Sequence, residues 1–72
     1  MKATNNENVS LTRREIEVLS LAATGIGSRA VADGLCISKR TVDFHLASAY
    51  RKLDAPNRIM AILAAKQQGI FA

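Results

Sequence analysis

A chain of 72 residues and 7.8 kDa holds one small domain, and it is too short for an enclosed active site with a lid or a second substrate domain. Hydrophobic residues make up 49% of the chain and aromatic residues only 4%, a balance that favours packed aliphatic helices over an aromatic-rich sheet. Ten Lys and Arg against six Asp and Glu give a net charge of +4, which favours an anionic partner such as nucleic acid or a membrane surface.

The counts of Cys and His exclude several kinds of site. One Cys cannot form a disulfide within the chain, and one Cys with one His cannot form a zinc site, so we expect no metal or cofactor and a reduced, buried Cys36. An enzyme is the least favoured class, because these residues cannot supply a nucleophile, a base and an oxyanion site. No apolar run approaches the length of a membrane span, and the first ten residues lack the apolar centre of a signal peptide. The sequence therefore predicts a soluble, cytoplasmic protein.

The beginning of the chain divides into two parts. Residues 1–9 are polar and Asn-rich, which predicts a flexible arm or a linker, and the domain is expected over residues 10–72. Thr12 and Glu15 have the spacing of a capping box, with Leu11 and Ile16 placed for a hydrophobic staple. Apolar residues at helical spacing then predict a first helix over about residues 13–24, ended by Gly25.

Three more helices are predicted further along the chain. Ser28 is the expected cap of a short second helix that Gly34 ends, and Ser38 is the expected cap of a long third helix. The third helix carries a seam of apolar residues at intervals of four, three and four: Val42, Leu46, Ala49 and Leu53. The segment 54–56 ends it at a proline, and Asn57 caps a fourth helix that runs to about residue 68. The sequence thus predicts an all-α, four-helix bundle.

The second and third helices have the arrangement of a helix-turn-helix. A short helix, an apolar turn over residues 35–37 and a longer helix opened by polar residues place the start of the longer helix where it can enter a DNA major groove. Between Ser38 and Arg58 there are five cations against two acids, so this segment carries most of the net charge. The cations suited to a phosphate backbone are Arg29, Lys39, Arg40, Arg51, Lys52 and Arg58.

These residues resemble the LuxR-type, or GerE-type, bacterial DNA-binding domain. The resemblance runs through nearly the whole chain beyond residue 10 and rests on Leu11-Thr12, Arg14-Glu15, Val18-Leu19, Gly25, Ala32, Leu35, Ile37-Ser38, Thr41-Val42, His45, Lys52-Leu53, Asn57-Arg58, Ala61 and Gly69. The segments 41–46 and 52–58 look most like the quorum-sensing branch of the family. In such regulators this domain follows a ligand-binding or receiver domain, whereas some members consist of little more than the domain, and the sequence fits both cases.

The resemblance implies that the third helix enters the major groove with Asp43, Phe44 and Ala47 at the base-facing positions. Relatives commonly carry Lys, Arg or Asn at the first of these positions, so Asp43 departs from the pattern. An Asp can accept a hydrogen bond from cytosine N4 but repels phosphates, and Ala47 can contact a thymine methyl group. The expected contacts to the DNA backbone are Ser28, Arg29, Ser38, Lys39, Arg40, Thr41, Arg51, Lys52 and Arg58.

Some of these residues also have purely structural interpretations. Arg51 and Lys52 are favourable charges at a helix C-terminus, and Lys52 fits that role and a phosphate contact equally well. Thr41 likewise fits two interpretations equally well: a helix residue without a special role, or a residue whose hydroxyl contacts a phosphate. Glu15 is foremost a capping-box residue that could also pair with a cation on the third or fourth helix. His45 is expected to be a packed or phosphate-adjacent imidazole and not a metal ligand.

The fourth helix carries two apolar stripes. One stripe, formed by Ala61, Ile62 and Ala65, suits packing on the first helix, while a second face predicts a homodimer interface made of Ile59, Leu63, Lys66 and Ile70. The resemblance also implies dimerisation through this helix, and RNA polymerase is a candidate further partner. No membrane partner and no small-molecule ligand are expected. The rival hypothesis is a protein-interaction module whose basic face binds an acidic protein.

Overall fold

The computed structural model describes residues 10–70. The predicted N-terminal arm, residues 1–9, lies outside the described residues. The regular elements of the described chain are four helices: α1 (Arg13–Ala22), α2 (Ser28–Leu35), α3 (Lys39–Lys52) and α4 (Arg58–Gln67). The all-α class and the helix-turn-helix order of α2 and α3 are therefore confirmed.

The starts of three helices are fixed by side-chain caps that the sequence predicts. Thr12 Oγ1 accepts a hydrogen bond from the backbone N–H of Glu15 at 3.1 Å, and Glu15 Oε1 accepts one from the N–H of Thr12 at 2.9 Å, which completes the capping box. Ser38 and Asn57 cap α3 and α4 in the same way. The predicted cap Ser28 is wrong: Gly27 is the N-cap of α2, and Ser28 is the first helical residue.

Three helices end in a left-handed residue with the paired backbone hydrogen bonds of a Schellman motif. Gly69 (φ 72°) occupies this position after α4, Asp54 (φ 55°) after α3 and Cys36 (φ 58°) after α2. The prediction that Gly34 ends α2 is therefore wrong, since Gly34 lies inside the helix and Cys36 ends it. Cys36 is also exposed and not buried, because a residue at this cap points away from the core. Asp54, two residues before Pro56, is what terminates α3.

The helix α3 lies at the centre of the domain and contacts the other three helices. Its predicted seam is confirmed, since all four residues are buried: Val42, Leu46, Ala49 and Leu53. On α1 the buried face runs through Val18, Leu19 and Ala22, whereas the predicted seam residues Ile16 and Ala23 are only half-buried. Burying this aliphatic face holds α1 and α2 against α3 and so fixes which side of α3 remains exposed.

The last helix packs through small residues. Ala61 and Ala65 are fully buried, as the stripe predicted, and Ile62 packs partly buried against the same core. The most extensive contact of α4 is with α3, whereas the sequence predicted α1. Alanine side chains allow α4 to approach the end of α3 closely, which leaves the larger residues of α4 on its outer face. Across residues 10–70, no helix has the length and the apolar character that crossing a bilayer requires.

Candidate nucleic-acid interface

The exposed side of the helix-turn-helix is formed by the first three turns of α3. Asp43, Phe44 and Ala47 are all exposed, and Phe44 is 68% exposed although it is a large apolar side chain. Asp43 and Ala47 lie four residues apart and so share one face of α3. A helix of 14 residues is about 21 Å long, and this one buries the side that carries Val42 and Leu46 while its other side remains exposed. The arrangement can be inserted into a groove without rearranging the core.

The predicted base-facing carboxylate is engaged in an ion pair on its own helix. Lys39 Nζ donates to Asp43 Oδ2 at 2.8 Å, and both side chains are about half exposed. The hydrogen bond from Lys39 lowers the pKa of Asp43, with smaller contributions in the same direction from the Ser28 hydroxyl and from the charge of Arg58. The Asp43 carboxylate is therefore held by Lys39, and groups at the starts of α2 and α4 stabilise its charged form.

The other predicted backbone contacts fall into two groups. Arg29, Arg40 and Arg51 are exposed and form no ion pair within residues 10–70. The guanidinium of Arg58 is half-buried, and its Nη1 donates to the main-chain carbonyl of Ile26 at 3.2 Å, which ties the start of α4 to the connection before α2. Because the carbonyl engages only part of the guanidinium, the remaining N–H groups of Arg58 are available to an anion.

The two hydroxyl groups at the start of α3 are bonded to each other. Ser38 Oγ accepts from the backbone N–H of Thr41 at 3.0 Å and donates to Thr41 Oγ1 at 2.9 Å. This leaves the proton of the Thr41 hydroxyl free to be donated outward, while Ser38 is occupied by its role as a cap. Thr41 is therefore better placed than Ser38 for a phosphate contact.

Among the predicted contacts to the DNA backbone, Lys52 has the strongest competing partner within the protein. Its Nζ lies 2.9 Å from Glu15 Oε1, and the Glu15 side chain is only 5% exposed. Ser48, a buried residue of α3, donates to the other oxygen of the same carboxylate. Burial by itself would raise the pKa of Glu15, but the hydrogen bonds from Ser48, the Thr12 backbone and Lys52, with the charge of Lys52, outweigh it and lower the pKa to about 2. The sequence-based pairing of Glu15 with a later helix is confirmed.

The single His lies beside the exposed aromatic residue of α3. The rings of Phe44 and His45 meet edge to face, with their centroids 5.7 Å apart. His45 is half-buried, so the packed role expected from the sequence accounts for it.

The predicted dimer face of α4 is exposed along most of its length. Ile59 is 72% exposed and Leu63 48% exposed, Lys66 is exposed on the same side, and Ile70 is half-buried against the core. Ile59, Leu63 and Lys66 follow intervals of four and three and share one face of the helix, whereas Ile70 lies beyond the turn at Gly69 and so outside that face. Met60, which the sequence argument did not single out, adds a second exposed apolar side chain next to Ile59.

Two features of the site were missed by reasoning from the sequence. The pairing of Lys39 with Asp43 could have been found, because opposite charges four residues apart on a helix face each other. The role of Ser48 carries no local signal, since its partner Glu15 is 33 residues away in the chain.

The fold and the surface together define a class of protein: a helix-turn-helix DNA-binding domain with a cationic surface around an exposed helix. The family model described as "Bacterial regulatory proteins, luxR family" matches residues 9–65 of the chain. The chain therefore belongs to the luxR family of bacterial regulatory proteins, as the sequence resemblance indicated.

Individual relatives include regulators of two kinds. The chain is 48% identical over 61 residues to the HTH-type quorum sensing-dependent transcriptional regulator RpaR of Rhodopseudomonas palustris, covering 85% of this chain and 25% of that protein. It is 44% identical over 71 residues to the transcriptional regulatory protein YdfI of Bacillus subtilis, covering 99% of this chain and 33% of that protein. The crystal structure of the response regulator ChrA of a heme-sensing two-component system superposes with a TM-score of 0.83 and 44% identity, over 86% of this chain and 31% of that one. The chain thus spans a quarter to a third of the length of these relatives.

Proposed function

We propose that this domain binds duplex DNA sequence-specifically, as a homodimer on a pseudo-palindromic site, and regulates transcription in the bacterial cytoplasm. The observation that carries the proposal is the exposed N-terminal half of α3, which has Asp43, Phe44 and Ala47 on its outer side and unpaired arginines around it. Cations at the start of a helix oppose the helix dipole, so Lys39 and Arg40 are slightly unfavourable for folding and are better explained by a bound anion.

The backbone contacts are proposed to come mainly from cations that have no competing partner. Arg29, Arg40, Arg51 and Arg58 meet this condition for ion pairs, together with the free hydroxyl proton of Thr41. Lys39 would join them on leaving Asp43. Lys52 is the weakest member, because a phosphate would compete with the buried carboxylate of Glu15.

Dimerisation is proposed through the outer face of α4, where Ile59, Leu63 and Lys66 lie on one exposed side, with Ile70, just beyond the helix, as the remaining residue of the predicted interface. Large exposed aliphatic side chains are what a two-fold interface buries. Two copies joined in this way would present two α3 helices to half-sites about 34 to 36 Å apart, one turn of DNA. The interface is small, so we expect association to become strong only when DNA or an attached domain holds two copies together.

The proposal is tested by measuring binding to labelled duplexes over a series of salt concentrations. Four phosphate contacts per domain predict that log affinity falls with log salt with a slope of about −4 per bound domain. A selection from randomised duplexes should return a site with two-fold symmetry. Binding of an acidic protein but of no duplex at low salt would establish the rival protein-interaction module and refute the proposal.

The dimer is tested with Leu63→Asp, which places a charge in the middle of the proposed interface. We expect unchanged helical content, unchanged binding to a single half-site and at least a tenfold loss of affinity for the two-fold site. The matched control is Gln68→Asp, an exposed position five residues after Leu63 and so about 140° around the helix from it, which should leave both affinities unchanged. Equal effects of the two variants would place the interface elsewhere.

A further inference from the structure

We propose that Asp43 is an internal competitor of the DNA backbone, which withholds Lys39 from phosphates until a base-edge amino group takes over the carboxylate. This rests on the proposed DNA binding and names the class of base that would release the pair: cytosine through N4 or adenine through N6, the two amino donors of the major groove. The domain would thereby suppress binding to non-cognate sequences, in addition to recognising its own.

Lys39 and Asp43 form an ion pair within α3. Lys39 Nζ and Asp43 Oδ2 are 2.8 Å apart across one turn of α3, and the side chains are 56% and 48% exposed. A carboxylate and a phosphate offer the same chemistry to an ammonium group, namely negative charge and oxygens that only accept hydrogen bonds. While Asp43 holds Lys39, that cation cannot neutralise a phosphate without being replaced.

Other groups that are expected to bind the DNA backbone also act on this carboxylate. The Ser28 hydroxyl, at the start of α2, and the charge of Arg58, at the start of α4, lower the pKa of Asp43 in the same direction as Lys39. The contact with Lys39 is the one that holds the carboxylate. Asp43 is thus stabilised as an anion by groups that would also stabilise a phosphate oxygen.

The Lys39–Asp43 ion pair is weak enough to be exchanged for contacts with DNA. Both side chains are well exposed, and ion pairs between exposed side chains contribute little because water screens them. Duplex DNA that offers an amino hydrogen at the facing base edge satisfies the carboxylate and frees Lys39. DNA that offers an acceptor there leaves Asp43 facing guanine O6 and N7 or thymine O4, so repulsion persists and Lys39 remains engaged. A change of the base that faces Asp43 would thus alter both the contact to that base and the phosphate contact of Lys39.

The test compares wild-type protein with Asp43→Asn, an isosteric change that removes the charge. The control is Asp54→Asn, which removes the same charge at the other end of α3; Asn tolerates the left-handed conformation found there. The probes are a labelled duplex of scrambled sequence and the duplex that wild-type protein selects from a randomised pool. Affinities are measured by fluorescence anisotropy over a series of KCl concentrations, with circular dichroism to verify the fold.

We expect Asp43→Asn to bind the scrambled duplex about fivefold tighter, the effect of one unit charge about 4 Å away in water, with a salt slope steeper by about one unit. On the selected duplex the gain should be absent or reversed, so the ratio of specific to non-specific affinity falls. Asp54→Asn should give a smaller gain on the scrambled duplex and leave the contribution of Lys39 to the salt slope unchanged, because Asp54 lies about 22 Å along the helix axis from Lys39, beyond the screening length of about 10 Å at moderate salt.

A second comparison asks whether the effect passes through Lys39. In a Lys39→Gln background, adding Asp43→Asn should give little further gain on the scrambled duplex. A full gain in that background would mean that Asp43 repels phosphates directly and would overturn the role of Lys39. Unchanged scrambled-duplex affinity of Asp43→Asn, or an equal gain from Asp54→Asn, would overturn the inference while leaving DNA binding intact. Absence of duplex binding by every variant and the wild type would instead refute the proposed function.

Discussion

The buried carboxylate of Glu15 should make this domain sensitive to acid, and Glu15→Gln should remove most of that sensitivity. Glu15 receives hydrogen bonds from the Thr12 backbone, Ser48 and Lys52, so it joins the start of α1 to the C-terminal half of α3. Gln has the same shape, but its amide group presents two donors where the site presents donors already. The change therefore tests the charge and the acceptor pattern without creating a cavity.

The magnitude follows from the pKa. A fall from the ordinary 4.5 to about 2 corresponds to about 3 kcal/mol of folding free energy, at 1.36 kcal/mol per pKa unit. Because the folded-state pKa is the lower one, this contribution is fully present above about pH 5 and is lost as the pH falls towards 2. A domain of this size has a total stability of about 3 to 9 kcal/mol, so the loss is a large part of the whole.

The assay is urea unfolding followed by circular dichroism at pH 7 and at several values down to pH 3. Wild-type protein should lose about 2 of the 3 kcal/mol over this range. Glu15→Gln should be about 2 to 3 kcal/mol less stable at pH 7, a fall in Tm of about 10 to 20 °C. Its stability should depend much less on pH between 5 and 3, where the exposed Asp43, whose pKa is also lowered, remains as a contributor. If the variant and wild type had parallel pH profiles, another group would be responsible and the assignment to Glu15 would be wrong.

Three further changes test the DNA contacts and the conformation of the main chain. Arg58→Ala should weaken binding to every duplex alike and flatten the salt slope by about one unit in anisotropy titrations. Arg13→Ala, an exposed cation that is not among the proposed DNA contacts, should leave the slope unchanged, and a loss confined to one sequence would show that Arg58 reads a base. Gly25→Ala should lower the unfolding free energy by about 1 to 2 kcal/mol because φ is +97° there, although its surroundings are open. Gly34→Ala, equally open but inside α2, should raise it by up to about 1 kcal/mol, and urea unfolding of the pair distinguishes conformational strain from packing.

Most of the local structure could be predicted from the sequence because it depends on residues within one turn of each other. The caps at Thr12, Ser38 and Asn57 need only an oxygen-bearing side chain and an N–H three residues later. The failure at Ser28 has the same local origin, whereas the failure at Gly34 has a tertiary one. Gly27 and Ser28 are both acceptable N-caps, and the choice between Gly34 and Cys36 as the end of α2 was decided by how Ile37 docks on the core.

The exposed side of α3, whose base-facing role is what the family resemblance implies, could also be predicted from the sequence. Once the α3 seam is known, helical periodicity places Asp43, Phe44 and Ala47 on the opposite, exposed side. Which of the nearby cations are free to meet DNA could not be read in this way, since that depends on what each side chain finds when the helices come together.

The sequence by itself determined the four helices, the seam of α3 and the family, because periodicity, caps and motif spacing are written in neighbouring residues. The tertiary structure decided the partners of the charges. Lys52 forms an ion pair with Glu15, 37 residues away in the chain, and Arg58 donates a hydrogen bond to the Ile26 carbonyl, 32 residues away. Contacts over such separations arise only when packing of the apolar core sets the relative positions of the helices, so no local pattern encodes them. Of the cations predicted to bind DNA, four arginines therefore form no ion pair among residues 10–70 and can bind an anion: Arg29, Arg40, Arg51 and Arg58.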